Sequence, residues 1–290
     1  MNSMTAPINP RKLLAYAIPM VRQTFTRKDS ALYALSIGFG CDPLDEQQLR
    51  FVDPLRDQVA VPSMALVLGH PGFWLADPES GVDPTRVVHG EQTIELLGHL
   101  PVEGDVVGET SIVEVVDKGP GKAALLRTRK KLFDAKSGEL LAVTSSTTFI
   151  REGGGFGGGN TTTLPPVVVE PTSLLPHHSL LLATRPEQAL YYRLNGDNNP
   201  LHADPAVARL SGFPVPILHG LCTFGMACHA LVRVLGRYDP YSLRNLTGRF
   251  SAPVFPGETL RFDIWNNGAF NVQVVERDVA AITNGHASFE

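Results

Sequence analysis

Apolar positions recur at helical spacing in the run ILHGLCTFGMACHALVRVL, where Leu218, Leu221, Phe224, Cys228, Leu231 and Leu235 share a stripe and most remaining positions are apolar too. A helix with that pattern is buried nearly all round. The first half of the chain shows the other period. SIVEVVD, AALLRTRKKLFD and LLAVTSSTTFI alternate, are rich in β-branched residues and are separated by Lys-Gly or Ser-Gly turns, which predicts an antiparallel sheet. A long apolar helix wrapped by such a sheet predicts an α+β domain. Between Val59 and Val88, Pro71, Gly72, Pro78 and Pro84 interrupt any long helix, so the first half is expected to leave open the space that the long helix fills in the second.

The chain repeats itself. Residues 26–38 (TRKDSALYALSIG) and 184–196 (TRPEQALYYRLNG) share T-R-x-acid-x-A-L-Y and a glycine at a constant offset of 158. A second echo follows in the same order, LPVEGDVVGETSIVEV from Leu100 and APVFPGETLRFDIW from Ala252. Two related domains, 10–150 and 172–290, are the economical reading. The Gly-rich then Pro-rich stretch 151–171 reads as a linker between them. In the repeat alignment Phe39 stands opposite Asp197 and Leu44 opposite His202, so polar chemistry is confined to the second copy. The first copy is expected to be non-catalytic, with Phe39 and Leu44 as wall or floor of a substrate site.

Composition narrows the partners. The 290 residues, 43% hydrophobic, suffice for one large core or two of about 100–150 residues. A net charge of −4 supplies no overall basic field, which argues against nucleic acid or an anionic membrane and for a small molecule. Cys41, Cys222 and Cys228 form no CxxC pair and leave an odd count, pointing to a reducing setting without zinc or disulfides, cytoplasmic, or peroxisomal or mitochondrial in a eukaryote. The apolar run LLAYAIPMV is too short to span a bilayer. Exposed sheet edges leave a homodimer open.

The most polar segment is NGDNNPLHADP, residues 195–205. Pro200 favours an extended Asn199, and Asp204-Pro205 carries the N-cap and first-position proline of a short helix running to Leu210. Across this stiff bend Asp197 and His202 are placed to converge on one water or substrate atom, with Asn199 orienting, which suits general acid–base work. The alternative at this point is that Asp197 and Asn199 satisfy turn backbone groups and His202 is structural. A metal site lacks a convincing second ligand, and His177-His178 reads as a polar loop entering a strand. His219 and Gly220 open the buried helix, where a free backbone N–H at the positive end of the helix dipole forms an oxyanion site in waiting. Arg127, Arg129 and Lys131 share one strand face, near Lys118 and Lys122, and read as a solvated surface.

The run YYRLNGDNNPLHADPAVARLSGFPVPILHGLCTFG resembles the hydratase 2 motif of the MaoC-like family, the (R)-specific enoyl-CoA hydratases. The flanks VHGEQTIELLGHLPVEGD and RFSAPVFPGETL extend the resemblance over nearly the whole chain from about residue 10. Asn195 departs from the small residue usual before the motif glycine. The resemblance implies a double hot-dog fold, two antiparallel sheets each wrapping helical segments, with one active site. It implies reversible addition of water to a trans-2-enoyl thioester by Asp197 and His202, supported by Asn199 and the Gly220 N–H. Tyr192, Asp204 and His219 match positions near the substrate. The implied substrate is an acyl-CoA, with acyl carrier protein as a second carrier. No cofactor or metal is implied, because coenzyme A is part of the substrate. A hot-dog thioesterase and a non-catalytic acyl-CoA-binding protein are the alternatives, against which the complete D-x-N-P-L-H run speaks.

Overall fold

The computed structural model describes residues 7–157 and 169–290. After a short α1 (Pro10–Leu14) and β1 (Val21–Phe25), the first copy of the Thr-Arg motif proves to be a helix start. Thr26 accepts from the Asp29 N–H, and the Asp29 carboxylate accepts the Thr26 N–H at 2.8 Å, a capping box that opens α2 (Arg27–Ser36). Next come α3 (Glu46–Val52) and four strands, β2 (Val87–Leu96), β3 (Gly104–Asp117), β4 (Ala124–Asp134) and β5 (Leu140–Ile150). The second half follows the same plan. It runs β6 (His178–Ala183), α4 (Gln188–Arg193), α5 (Pro205–Leu210), α6 (Gly220–Val234), β7 (Leu243–Phe250), β8 (Thr259–Ile264), β9 (Ala269–Val274) and β10 (Val279–Phe289).

Each half supplies five strands, and the two sets join edge to edge through β2 and β7 into one ten-stranded antiparallel sheet. Its order, β1-β3-β4-β5-β2-β7-β10-β9-β8-β6, reads as the same five-strand pattern from either edge, so the sequence repeat is a structural repeat. At the seam the Thr93 and Thr247 hydroxyls meet at 3.0 Å. In the second half, α6 packs on the sheet, and every residue from Cys222 to Val232 is buried, as its all-round apolar pattern predicts. Phe262, Phe270, Val272, Val274 and Ile282 belong to the same core.

The first half has no such helix. Residues 62–86 form only short 3-10 turns, at 62–66, 74–76, 78–80 and 84–86, and the strap they make crosses the inner face of the sheet. It is held close by two glycines. A Cβ on Gly108 of β3 would lie 1.9 Å from the Gly69 carbonyl oxygen, and Gly69 itself has φ +57°. Gly108→Ala is therefore expected to cost about 1–3 kcal/mol, read as a lower midpoint in denaturant unfolding, because backbone and not a flexible side chain must move.

Two expectations need correction. Phe39 does not line a substrate site: its ring is stacked between Phe51 at 4.3 Å and His229 of α6 at 3.8 Å, because Gly38 at φ +93° turns the chain inward after α2. Leu44 is 89% exposed in the turn before α3. Of the stretch read as a linker, residues 158–168 lie outside the described residues. Its beginning is anchored to the first half, where Asp117 accepts the N–H groups of Gly119, Gly155 and Gly157, each at 2.7 Å. Glycine serves close approach there, since a Cβ on Gly154 would lie 2.6 Å from the Gly119 oxygen.

Candidate active site

The polar loop after α4 is built by its own side chains. Gly196 has φ +108°, a conformation that favours glycine, and turns the chain out of the helix. The Asp197 carboxylate then accepts the Asn199 N–H at 3.2 Å, and Asn199 Oδ1 accepts the Leu201 N–H at 3.1 Å, capping a 3-10 turn at Pro200–His202. Asp204 caps α5 by accepting the Ala206 N–H at 2.7 Å, with Pro205 at the first helical position. Asn195 ties the loop to the first half, its Nδ2 donating to Ser36 Oγ of α2 at 3.0 Å and to the Tyr192 carbonyl at 2.8 Å.

His202 is buried, and its Nδ1 sits 2.9 Å from the Ile217 carbonyl. A carbonyl only accepts, so Nδ1 carries the hydrogen and the neutral ring keeps its lone pair on Nε2. Burial lowers the pKa of this imidazole, and the neighbouring Asp197 charge opposes that shift. His219 stacks on it, ring centroids 3.8 Å apart, and lies 3.4 Å through Nε2 from the Asp197 carbonyl. Burial, then the nearness of His202, pushes its pKa down to about 2, and its Nδ1 has no hydrogen-bond partner among the described residues. His219 is thus a neutral plate behind the His202 ring.

The donor atoms of Asp197, His202 and His219 all lie within 4.8 Å of one another. Imidazole lone pairs lie in the ring planes, and here the planes are offset by stacking and inclined at only 27°. His202 Nδ1 and His219 Nε2 already face backbone carbonyls, which leaves one free ring nitrogen on each. As arranged, the trio is suited to proton transfer. One water, with hydrogen bonds of about 2.8 Å, bridges polar atoms at such separations.

Gly220 is the first residue of α6, and the N–H groups of this turn have no carbonyl four residues back to bond. A Cβ at Gly220 would meet the Phe250 ring at 3.3 Å, a packing reason for glycine beside the electrostatic one. Asp197, Asn199, His202 and Gly220 all line one cavity of about 530 Å3. Its far walls come from the first half, with Phe73, Trp74 and Leu75 of the strap facing Thr128, Lys130 and Ser146 of the sheet. Tyr192 and His219 are buried behind the cavity wall, their rings 5.0 Å apart, with the Tyr192 ring also packed near that of Tyr33. Asp204 is exposed and does not line the cavity, because its carboxylate is turned back onto α5.

Among the lining residues that escaped the sequence reading are His70, His89 and Lys130. Burial pushes His89 down to about 4, leaving it neutral, and its Nε2 donates to the Glu91 carbonyl at 3.1 Å. Burial alone pushes the Lys130 ammonium down to about 7. The alternation of RTRKK held the signal: with Arg127, Arg129 and Lys131 on one strand face, Lys130 falls on the other. Arg127 and Arg129 line a second groove with Arg249, and Arg127 pairs with Glu114 at 2.8 Å.

Residues 170–288 match the family description "MaoC like domain", and residues 23–152 match "MFE-2 hydratase 2 N-terminal domain". The peroxisomal enoyl-CoA hydratase 2 of Arabidopsis thaliana is 37% identical, over 96% of this chain and 94% of its own. This chain belongs to the MaoC-like hydratase 2 family. Within that family, 3-hydroxyacyl-thioester dehydratase Y of Mycobacterium tuberculosis is 38% identical, over 94% of each chain. A crystal structure of a MaoC-like dehydratase from Phytophthora capsici superposes with a TM-score of 0.84 at 31% identity, covering 98% of both chains. The fold of this hydratase 2 chain is the double hot-dog that its motifs implied. Among the described residues, no helix is long and apolar enough to cross a membrane.

Proposed function

We propose that the protein is a hydro-lyase, an (R)-specific 2-enoyl-CoA hydratase that also runs in reverse as a 3-hydroxyacyl-CoA dehydratase. The observation that carries this reading is the His202–Ile217 hydrogen bond, which fixes a neutral imidazole with its hydrogen on Nδ1, in a ring with a nitrogen within 4.8 Å of the Asp197 carboxylate on the wall of the shared cavity. In the hydration direction His202 Nε2 takes a proton from the bridging water as the oxygen bonds to C3. Asp197 holds the other hydrogen of that water and offsets the charge forming on the imidazole. Electron density moves from the C2–C3 double bond to the thioester oxygen, where the Gly220 N–H and the positive end of α6 stabilise it. The proton then passes from His202 to C2 as the enolate collapses, so the water is added whole and the imidazole returns to neutral. Asn199 keeps the loop in register through its cap, and His219 backs the imidazole. Hydrolysis of the thioester, the rival chemistry, would require attack at the carbonyl carbon, and none of the relatives named above is called a thioesterase.

The first half serves as the acyl-chain enclosure. Its strap replaces a long helix, and the 530 Å3 cavity lies beneath it. Each CH2 buried there contributes up to about 0.8 kcal/mol. The expected result is one active site per chain by titration with a tight-binding product analogue, with kcat/KM rising from C4 towards C10 trans-2-enoyl-CoA. Loss of the conjugated thioester absorbance, with chiral analysis of the 3-hydroxyacyl product, tests the reaction. An (S) product, or no loss of absorbance with any enoyl-CoA, overturns the reading.

A further inference from the structure

The floor of the cavity carries more polar groups than burial of a plain hydrocarbon chain calls for. Along β5 the inward positions are Thr144, Ser146 and Thr148, and along β4 they are Leu126, Thr128 and Lys130. The register pairs Lys130 with Thr144, Thr128 with Ser146 and Leu126 with Thr148, so the side chains form cross-strand rows on one face. The equivalent strands of the second half, β9 and β10, carry Phe270, Val272, Val274 and Ile282 in the core with α6. A sheet face that met only alkyl groups would look like that one.

Two features of the floor point to an occupant bearing negative oxygen. Lys130 is 4% exposed and donates to the carbonyls of Ala65, Leu66 and Leu68 at 2.6–2.9 Å, yet it is ion-paired with no carboxylate among the described residues. Its hydrogens are satisfied while its charge has only carbonyl dipoles for balance, and buried charges are ordinarily paired. Beside it the Thr144 hydroxyl, on a residue 6% exposed that lines the cavity, has no hydrogen-bond partner among the described residues. Thr128 and Ser146 share one hydrogen bond at 2.7 Å, so one of their two hydroxyl hydrogens stays available. Hydroxyl donors beside an uncompensated ammonium make a carboxylate site, whereas the strap opposite, with Phe73, Trp74 and Leu75, accommodates methylenes.

We propose that this cavity selects enoyl thioesters whose acyl chain carries a second, distal carboxylate, recognised by the hydroxyls of Thr128, Thr144 and Ser146 and by the charge of Lys130. The proposal rests on the hydratase reading of the site and names the substrate class. The test measures kcat/KM for trans-2-decenoyl-CoA and for its ω-carboxy counterpart trans-2-decenedioyl-CoA, with crotonyl-CoA as the control for the reaction itself. The coenzyme A phosphates are common to both long substrates and cancel in the ratio. The wild-type protein should prefer the dicarboxylic substrate by about tenfold or more, since a site built around polar groups rejects the analogue that leaves them unpaired. Thr144→Val and Lys130→Met should each bring the ratio towards one. If Lys130→Met does not fold, Thr144→Val and Thr128→Val decide. A wild-type ratio at or below one, or a ratio unmoved in folded variants, overturns the inference and leaves the hydratase standing if crotonyl-CoA is consumed. If no enoyl-CoA is consumed, the reaction reading itself fails.

Discussion

Asp197→Asn and His202→Gln should each lower kcat for hydration by a factor on the order of 10²–10⁴, the usual weight of a positioned acid–base group. Both substitutions spare the local architecture. Asparagine keeps an oxygen to accept the Asn199 N–H, and glutamine keeps an amide able to donate to the Ile217 carbonyl. Unfolding midpoints near that of the parent protein should therefore accompany the lost turnover. The pH profile supplies a second readout. Catalysis needs His202 neutral, and burial lowers its pKa from the ordinary value of about 6.5, so protonation becomes significant only at more acid pH. The acid limb of kcat/KM should then lie below 6.5. Because the Asp197 charge opposes the effect of burial, the residual activity of Asp197→Asn should show this limb displaced further to the acid side. Turnover within threefold of the parent in either variant, or a limb that moves towards neutrality in Asp197→Asn, would remove the pair from the mechanism.

The loop was legible in the sequence because its conformation is set locally. Proline, Asx caps and a glycine at positive φ act over two or three residues, and Asn199, Asp204 and Pro205 occupy the cap and first-turn positions their types predict. The long helix was legible for a similar reason, since only a helix enclosed on all sides carries Leu218 to Leu235 with so few polar positions. Contacts across the repeat were not. The alignment placed Phe39 opposite Asp197 correctly in sequence, but the inward turn at Gly38 sends its ring against His229, a residue 190 positions away (229 − 39). Lys130 was passed over because a lysine in a basic run reads as solvent-facing, and only the strap carbonyls of Ala65, Leu66 and Leu68 make its burial tolerable. The sequence offers no local sign of partners 62 to 65 residues distant.

Replacing Gly220 by proline should lower kcat by about 10²–10³, equivalent to roughly 3–4 kcal/mol of transition-state stabilisation, with a much smaller change in the binding of the product thioester. The difference arises because the donor faces charge that is fully developed only as the enolate forms. Position 220 tolerates the test: it is the first residue of α6, where proline is favoured, and His219 before it is already extended at ψ 132°. The added Cβ meets the half-buried Phe250 ring at 3.3 Å, so crowding must be separated from loss of the N–H. Gly220→Ala makes that separation, since it introduces the same carbon and retains the hydrogen. The alanine variant should keep most of the turnover that the proline variant loses, while both show the far-ultraviolet circular dichroism of the parent. Equal losses in the two would assign the effect to packing against Phe250 and take the oxyanion role away from the start of α6.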